Sequence, residues 1–307
     1  MKIPRDGKEV VVELEGKAVK LTNLSKPFWP ELGYTKADLL QYYFDLADAL
    51  LPHIAHRAMV MRRYPDGASG KSFFMKRAPK GHPEWVETVH VLHSSGNEID
   101  FPVINDVASL LWVVNLGCID LNPWYSRTDD LDRPDYLHFD LDPGEASFAR
   151  VRETALAVHG ALAELGMPSY VKTSGSKGAH VYVPIVRGPL QKDVWTFAKK
   201  LAWKLAAKYP ELATAEYTKA KRPKGRVLID YNQNRWGSTL ASVYSVRPTP
   251  RATASAPVSW EELAKGCELE DFRLDNLPAR VREKGDLWAP CAPGAPGRFD
   301  LAQVKDS

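Results

Sequence analysis

Short stretches rich in β-branched and aromatic residues punctuate the chain and predict strands near 9–14, 58–64, 72–77, 86–92, 136–142, 169–173, 179–185, 226–231 and 241–246. Between them run longer segments with the helical spacing of apolar positions. The clearest extends from Thr35 to about Leu51, where Leu39, Leu40, Tyr43, Phe44, Ala47, Leu50 and Leu51 form one stripe behind an N-cap at Thr35. Further helices are expected at 105–116, 147–165, 191–209 and 259–265. No internal repeat and no linker interrupts the pattern, which reads as a single mixed α/β (α+β) domain over 1–290. A small N-terminal subdomain would fit within 1–104, and the Pro/Gly/Ala-rich stretch opening 291–307 reads as a loose tail.

With 307 residues, 44% of them hydrophobic and 26% charged, the chain can bury a full core and is not of disordered composition. It has no apolar run near the ~20 residues that span a bilayer and no signal-peptide pattern, so no membrane is expected and a cytosolic location is. Cys118, Cys267 and Cys291 are odd in number and widely spaced, against both a disulfide framework and a structural zinc site. A net charge of +3 says little by itself, but its distribution says more. Residues 199–226 hold nine Lys/Arg against two Glu, and residues 57–80 hold seven Lys/Arg against one Asp. The first patch also fits a solvated helix face. The second interleaves cations with aromatics, as in Arg62-Arg63-Tyr64 and Phe73-Phe74-Met75-Lys76-Arg77, a composition suited to stacking on bases while holding phosphates.

The alternation of residues 136–142 puts Leu137, Phe139 and Leu141 on one strand face and His138, Asp140 and Asp142 on the other, with Pro143-Gly144 ending the strand. Two carboxylates on one face repel unless a cation or proton lies between them, and a hard divalent ion is the economical solution. An exposed edge strand would show the same pattern. A haloacid-dehalogenase-type phosphatase is disfavoured by Gly144 where a Thr is normal, while a glycosyltransferase DxD stays open. In residues 172–180, a turn with Gly175 and Gly178 joins two strands and carries Ser174, Ser176, Lys177 and His180 as donors, able to cradle a triphosphate or to be an ordinary hairpin. No Walker A pattern is present. Asp230, inside the apolar run 227–231, needs a partner; beside Asp140 and Asp142 it would complete a cluster able to hold two cations.

Taken together, HFDLDPG, KTSGSKGAHVYVPI and VLIDYNQN followed by YSVRP resemble the three motifs of the archaeo-eukaryotic primase superfamily, and more narrowly the polymerase domain of bacterial DNA ligase D. The likeness includes LTNLSKPFWPELGYTK at 21–36 and the run 102–124, and so covers the chain to about residue 290. The resemblance implies a primase-like core of mixed and antiparallel sheets flanked by helices. It implies that Asp140, Asp142 and Asp230 are catalytic and bind two divalent ions, Mn2+ typically and Mg2+ as the alternative. Ser174, Lys177 and His180 match the triphosphate motif; Arg247 and Gln233 fall where the family contacts nucleotide or metal-associated groups. Asn23, Lys26 and Lys36 match the pocket for a downstream 5′-phosphate, and Phe73 and Phe74 the pair that stacks on DNA, although strand alternation alone would place one of the two in the core. Asn122 departs from members with His before the Pro-Trp pair, at a position linked to the ribose, and Arg222 stands about one residue from a family arginine.

The implied function is a metal-dependent repair polymerase of non-homologous end joining. It would add nucleoside triphosphates, ribonucleotides preferentially, to a primer 3′-hydroxyl at gapped or broken DNA, with a Ku-type protein and an ATP-dependent ligase as partners. A primase that starts chains without a primer and a non-catalytic DNA-end-binding module are the alternatives.

Overall fold

The computed structural model describes residues 1–93 and 95–304. At its centre is a six-stranded sheet in the order Ala213–Thr214, Val227–Asp230, Tyr136–Asp142, Ala179–Pro184, Tyr170–Thr173, Pro257–Val258. Every pairing is antiparallel except that between Ala213–Thr214 and Val227–Asp230. Leu137, Phe139, Leu141, Val181, Val183, Val227 and Ile229 are buried on the sheet's apolar side. Helices Phe148–Glu164 and Gln191–Lys208 pack there, inserting Val151, Ala155, Val158, Val194, Ala198 and Leu205. The cationic side of Gln191–Lys208 is the solvated face that the Lys spacing also allowed; Lys199 lies over the Trp195 ring and Lys208 pairs with Glu164 at 3.4 Å.

A second sheet of three antiparallel strands, Phe73–Met75, Met59–Arg63 and Cys118–Pro123, precedes the large one in sequence. Helices Lys36–Asp45, Ala47–Ile54 and Val107–Asn115 accompany it. One hydrophobic cluster runs from Ile3 to Cys291 and joins both sheets. The strand pairs Glu9–Leu14 with Lys17–Thr22 and Thr88–Leu92 with Glu98–Pro102 are hairpins at the periphery.

Two expectations are corrected. The helix expected over 35–51 begins where foreseen, with Asp38 accepting from the Thr35 backbone N–H at 2.8 Å, but breaks at Leu46 and resumes as Ala47–Ile54. Residues 241–246 form no strand: Tyr244 has φ +63°, which turns the backbone, and only Val246 makes an isolated bridge, to Ala254. The strand Cys118–Pro123 was not foreseen. Arg298 donates to the carbonyls of Asp135 and Ala292, and Phe299 bridges to Ile185. Residues 305–307 lie outside the described residues.

Candidate active site

The strand register builds the site. Asp140 stands directly opposite Asp230 on one neighbouring strand and opposite His180 on the other, and His180 stands opposite Lys172 on the next. Directly opposed residues share a sheet face, so Asp230, Asp140, His180 and Lys172 form a single row across four strands. Asp142 is two residues beyond Asp140 on the same face, at the strand end, and opposite Leu228.

Along the row, His180 Nε2 lies 3.4 Å from Asp140 Oδ1, and Lys172 Nζ lies 2.6 Å from His180 Nδ1. Lys172 also donates to the Ala241 carbonyl at 2.9 Å and to Ser255 Oγ at 2.8 Å. Asp230 accepts from the Asn232 backbone N–H at 2.7 Å and from Gln233 Nε2 at 3.3 Å. Asp142 accepts from the Gly144 N–H at 3.0 Å and faces Arg222 at 3.6 Å, which gives Arg222 a place beside the cluster.

Burial pushes the Asp140 carboxyl up to about 7, and the negative charges of Asp230 and Asp142 push the same way against Lys172 and Arg247. Asp230 is likewise raised, chiefly by burial. Burial drives Lys172 well below the usual lysine range, and burial with the Lys172 and Arg247 charges does the same to His180. Burial thus disfavours the charged form of both carboxyls, and a hard divalent cation, which their oxygen chemistry suits, would favour it. Among the described residues, however, no three His, Cys, Asp or Glu side chains already stand in metal-holding proximity, and Asp142 is engaged by Arg222 instead.

The turn after Tyr170–Thr173 lies beside the row. Ser174 Oγ accepts from three backbone N–H groups, those of Ser176, Lys177 and Gly178, at 3.2, 3.2 and 3.0 Å. The N–H groups of residues 176–178 thus converge on the Ser174 hydroxyl, which satisfies them and fixes the shape of the turn. The two glycines let the backbone approach other parts of the protein. Gly175 has φ +66° and would place a Cβ 2.6 Å from Ala254, while a Cβ on Gly178 would overlap the Leu141 carbonyl.

Arg247 reaches into the site from the other side, with Nη1 3.4 Å from the Ser174 carbonyl and Nε 3.0 Å from Asp120. Asp120 is a residue that sequence reasoning missed. It is buried on Cys118–Pro123, also faces Arg62 at 3.6 Å, and ties the small sheet to Arg247. Burial raises its pKa, and Arg247 and Arg62 oppose that rise. The alternation of Ile119 and Leu121 with Asp120 and Asn122 was the available signal. Asn122 is buried on the same strand, donating to the Asp120 carbonyl at 3.2 Å.

The expected phosphate pocket is a separate place. Lys26 donates its backbone N–H to the Asn23 carbonyl at 3.0 Å, and Lys36 to that of Lys26 at 2.8 Å, which gathers the three residues. Lys36 Nζ is buried and donates to the Thr22 carbonyl and Asn115 Oδ1, both at 2.7 Å. Burial and then the charges of Lys26 and Arg63 hold it down at about 8. Lys26 itself reaches Asp66 at 3.1 Å. Phe73 and Phe74 are both exposed, 46% and 61%, correcting the expectation that one would be core. They sit against Arg63 and Arg62, with guanidinium-to-ring distances of 5.3 Å each.

Comparison with known proteins matches this arrangement to one family. The family model described as "LigD, primase-polymerase domain" matches residues 35–288. The "Multifunctional non-homologous end joining protein LigD" of Mycolicibacterium smegmatis is 35% identical over 281 residues, covering 91% of this chain and 36% of that protein. The "Bifunctional non-homologous end joining protein LigD" of Bacillus subtilis is 29% identical, covering 87% and 43% respectively. The chain thus spans little more than a third of the mycobacterial relative's length. The solved structure of the polymerase domain from Mycobacterium tuberculosis Ligase D in complex with DNA superposes with a TM-score of 0.84 at 31% identity, covering 91% of this chain and 99% of that one. On this agreement of sequence and architecture, the chain belongs to the LigD primase-polymerase domain family.

Proposed function

We propose that this chain extends a primer 3′-hydroxyl with nucleoside triphosphates at gaps and broken ends of DNA, releasing pyrophosphate, as the polymerase of a bacterial end-joining pathway. The observation that carries the reading is the register that sets Asp140 directly between Asp230 and His180, with Asp142 at the strand exit and the Ser174 turn beside it. Asp140, Asp142 and Asp230 are the residues that would hold two divalent ions, manganese or magnesium, with Asp142 giving up Arg222. Bound there, such ions lower the pKa of the attacking hydroxyl and offset charge on the triphosphate.

The protein's own groups do the rest by position and charge. The turn that Ser174 organises through the N–H groups of 176–178 presents the Lys177 ammonium to the phosphates, and His180 and Arg247 add donors from opposite sides. Gln233 holds one oxygen of Asp230. Asn122, in the place linked to the ribose, is the residue on which a ribonucleotide preference would turn. Asn23, Lys26 and Lys36 would grip the downstream 5′-phosphate, because a buried ammonium crowded by like charges gains most from a dianion. Phe73 and Phe74 would stack on the adjacent bases. A Ku-type end-binding protein and an ATP-dependent ligase are the partners this role requires, and the bacterial cytosol is its place.

The test is the double substitution Asp140→Ala with Asp142→Ala. We expect manganese-dependent addition of labelled ribonucleotide to a gapped duplex to disappear while DNA binding persists. Retained addition would refute the assignment. Template and triphosphates without primer provide the second arm: chain initiation there would make the protein a primase instead.

A further inference from the structure

Asp120 lies outside the three motifs, buried on Cys118–Pro123 between two arginines. Arg247 Nε is 3.0 Å from its Oδ1, and Arg62 Nη1 is 3.6 Å from its Oδ2. One carboxylate thus serves two guanidiniums, which stay charged in any protein site. The set holds one positive charge more than it can neutralise.

Two observations separate this cluster from an ion pair that serves only the fold. The first is the contrast with Arg57 and Asp135, which form such a pair in the same chain. Arg57 is fully buried; it donates from Nη2 to both Asp135 oxygens, at 2.9 and 2.8 Å, and from Nε and Nη1 to the His53 and Tyr125 carbonyls. One anion meets one cation there, and the guanidinium is enclosed. Arg247 is partly exposed, and its one side-chain hydrogen bond among the described residues runs from Nη1 to the Ser174 carbonyl at 3.4 Å. The approach of its Nε to Asp120 is a charge contact rather than an aligned hydrogen bond, and Nη2 has no hydrogen-bond partner among the described residues.

The second observation is that the strand needs no charge to stay attached. The Leu121 N–H donates to Ser245 Oγ at 3.0 Å, and the Ser242 N–H to the Leu121 carbonyl at 2.8 Å. The Tyr43 hydroxyl donates to the Ile119 carbonyl at 2.7 Å and accepts from the Val246 N–H at 3.0 Å. These neutral bonds already fasten Cys118–Pro123 to the segment that delivers Arg247. A buried carboxylate is costly to desolvate and adds nothing to that join. What it adds is direction. The Arg247 stem lies against the phosphate turn, so close that a Cβ on Gly175 would stand 2.7 Å from its Cγ. With Nε beside Asp120 and Nη1 on the Ser174 carbonyl, the plane of the guanidinium is fixed.

We propose that Asp120 is a positioning residue for the incoming triphosphate: its charge holds the Arg247 guanidinium against the Ser174 turn with Nη2 open to a phosphate oxygen. The surplus charge of the three residues is what that phosphate neutralises. The inference rests on Arg247 as a triphosphate contact, the role proposed above.

The test is calorimetric titration of ATP with Mn2+ into the protein without DNA, so that binding is read with no turnover. Asp120→Asn, which removes the charge and keeps the shape, should weaken ATP binding roughly tenfold. In an Arg247→Met background, where no guanidinium remains to be aimed, the same change should cost almost nothing further. Equal losses in both backgrounds would mean that Asp120 only supports the fold, and would overturn the proposal. Unchanged or tighter binding would overturn it too, the latter because Asp120 would then merely damp the positive potential of the site. Urea unfolding checks that the variants fold; should Asp120→Asn fail to, Asp120→Ser carries the same comparison. Wild-type protein that binds no ATP would refute the nucleotide reading of the whole site, a failure told apart from these because it needs no substitution.

Discussion

Gly178 shows how a single missing Cβ places the whole phosphate turn. Its α-carbon lies so near the Leu141 carbonyl that any side chain would push the turn off the strand carrying Asp140 and Asp142. Gly178→Ala is therefore expected to cost about 3 kcal/mol in urea unfolding and to lower nucleotide addition. Gly188→Ala, with nothing within 4 Å of its Cβ, should stay within about 0.5 kcal/mol of wild type. Equal effects of the two would deny the close approach. At this scale the sequence was legible where a rule of local geometry applied. Asp140 and Asp142 were readable because strict alternation assigns faces, and Thr35 because a cap precedes a helical stripe. Asp120 was missed although it alternates with Ile119 and Leu121, because its arginine partners, residues 62 and 247, lie far from it in the chain. The exposure of both phenylalanines escaped for a related reason: the strand Phe73–Met75 lies at the edge of its sheet, and neither of its faces there is covered.

Among elements, the helix pair near the C-terminus is held by one carboxylate. Glu262 caps Trp260–Lys265 by accepting from the Ser259 N–H at 3.0 Å, and takes both Arg280 Nη1 and Nη2 from Leu277–Lys284, at 2.8 and 2.7 Å. With Lys284 added, these bonds outweigh burial and hold the group down at about 2, against an ordinary value of 4.5. A depressed carboxylate stabilises the fold above its unfolded pKa and loses that contribution as pH falls toward the folded one. Glu262→Gln should cost about 1 kcal/mol near pH 7, allowing for solvent screening, and progressively less below about pH 4.5. Urea titrations from about pH 7 to pH 3 measure this; a gap constant across that range would show that the ion pairs carry no stability. Elements were foreseen where their periodicity ran unbroken, as in 136–142 and 147–165. They were misjudged where tertiary demands bent the chain. Leu46 divides one apolar stripe into two helices, and a positive φ at Tyr244 converts a β-rich sequence into a turn that delivers Arg247.

The molecule as a whole keeps two charged places on different sheets. The acidic row lies on the six-stranded sheet, and the lysine pocket with its phenylalanines borders the three-stranded one, the two being joined through Asp120, Arg62 and Arg247. They should accordingly fail separately. Lys26→Ala is expected to weaken binding of gapped duplex bearing a 5′-phosphate roughly tenfold while leaving unphosphorylated duplex nearly unaffected, as read by fluorescence anisotropy. Equal loss on both would make Lys26 a general positive charge.

The row from Asp230 to Lys172 has one more implication. Asp140, Asp230 and the Lys172–His180 hairpin come from segments far apart in the chain and are aligned by strand register. Apart from the 174–178 turn, which is itself part of the site, the connections between those strands can therefore grow, shrink or carry inserted segments without disturbing the chemistry, whereas removing a single residue inside any one strand would point that strand's contribution into the core. Variation within this lineage should be generous in loop length and intolerant of odd-numbered shifts along four short ribbons.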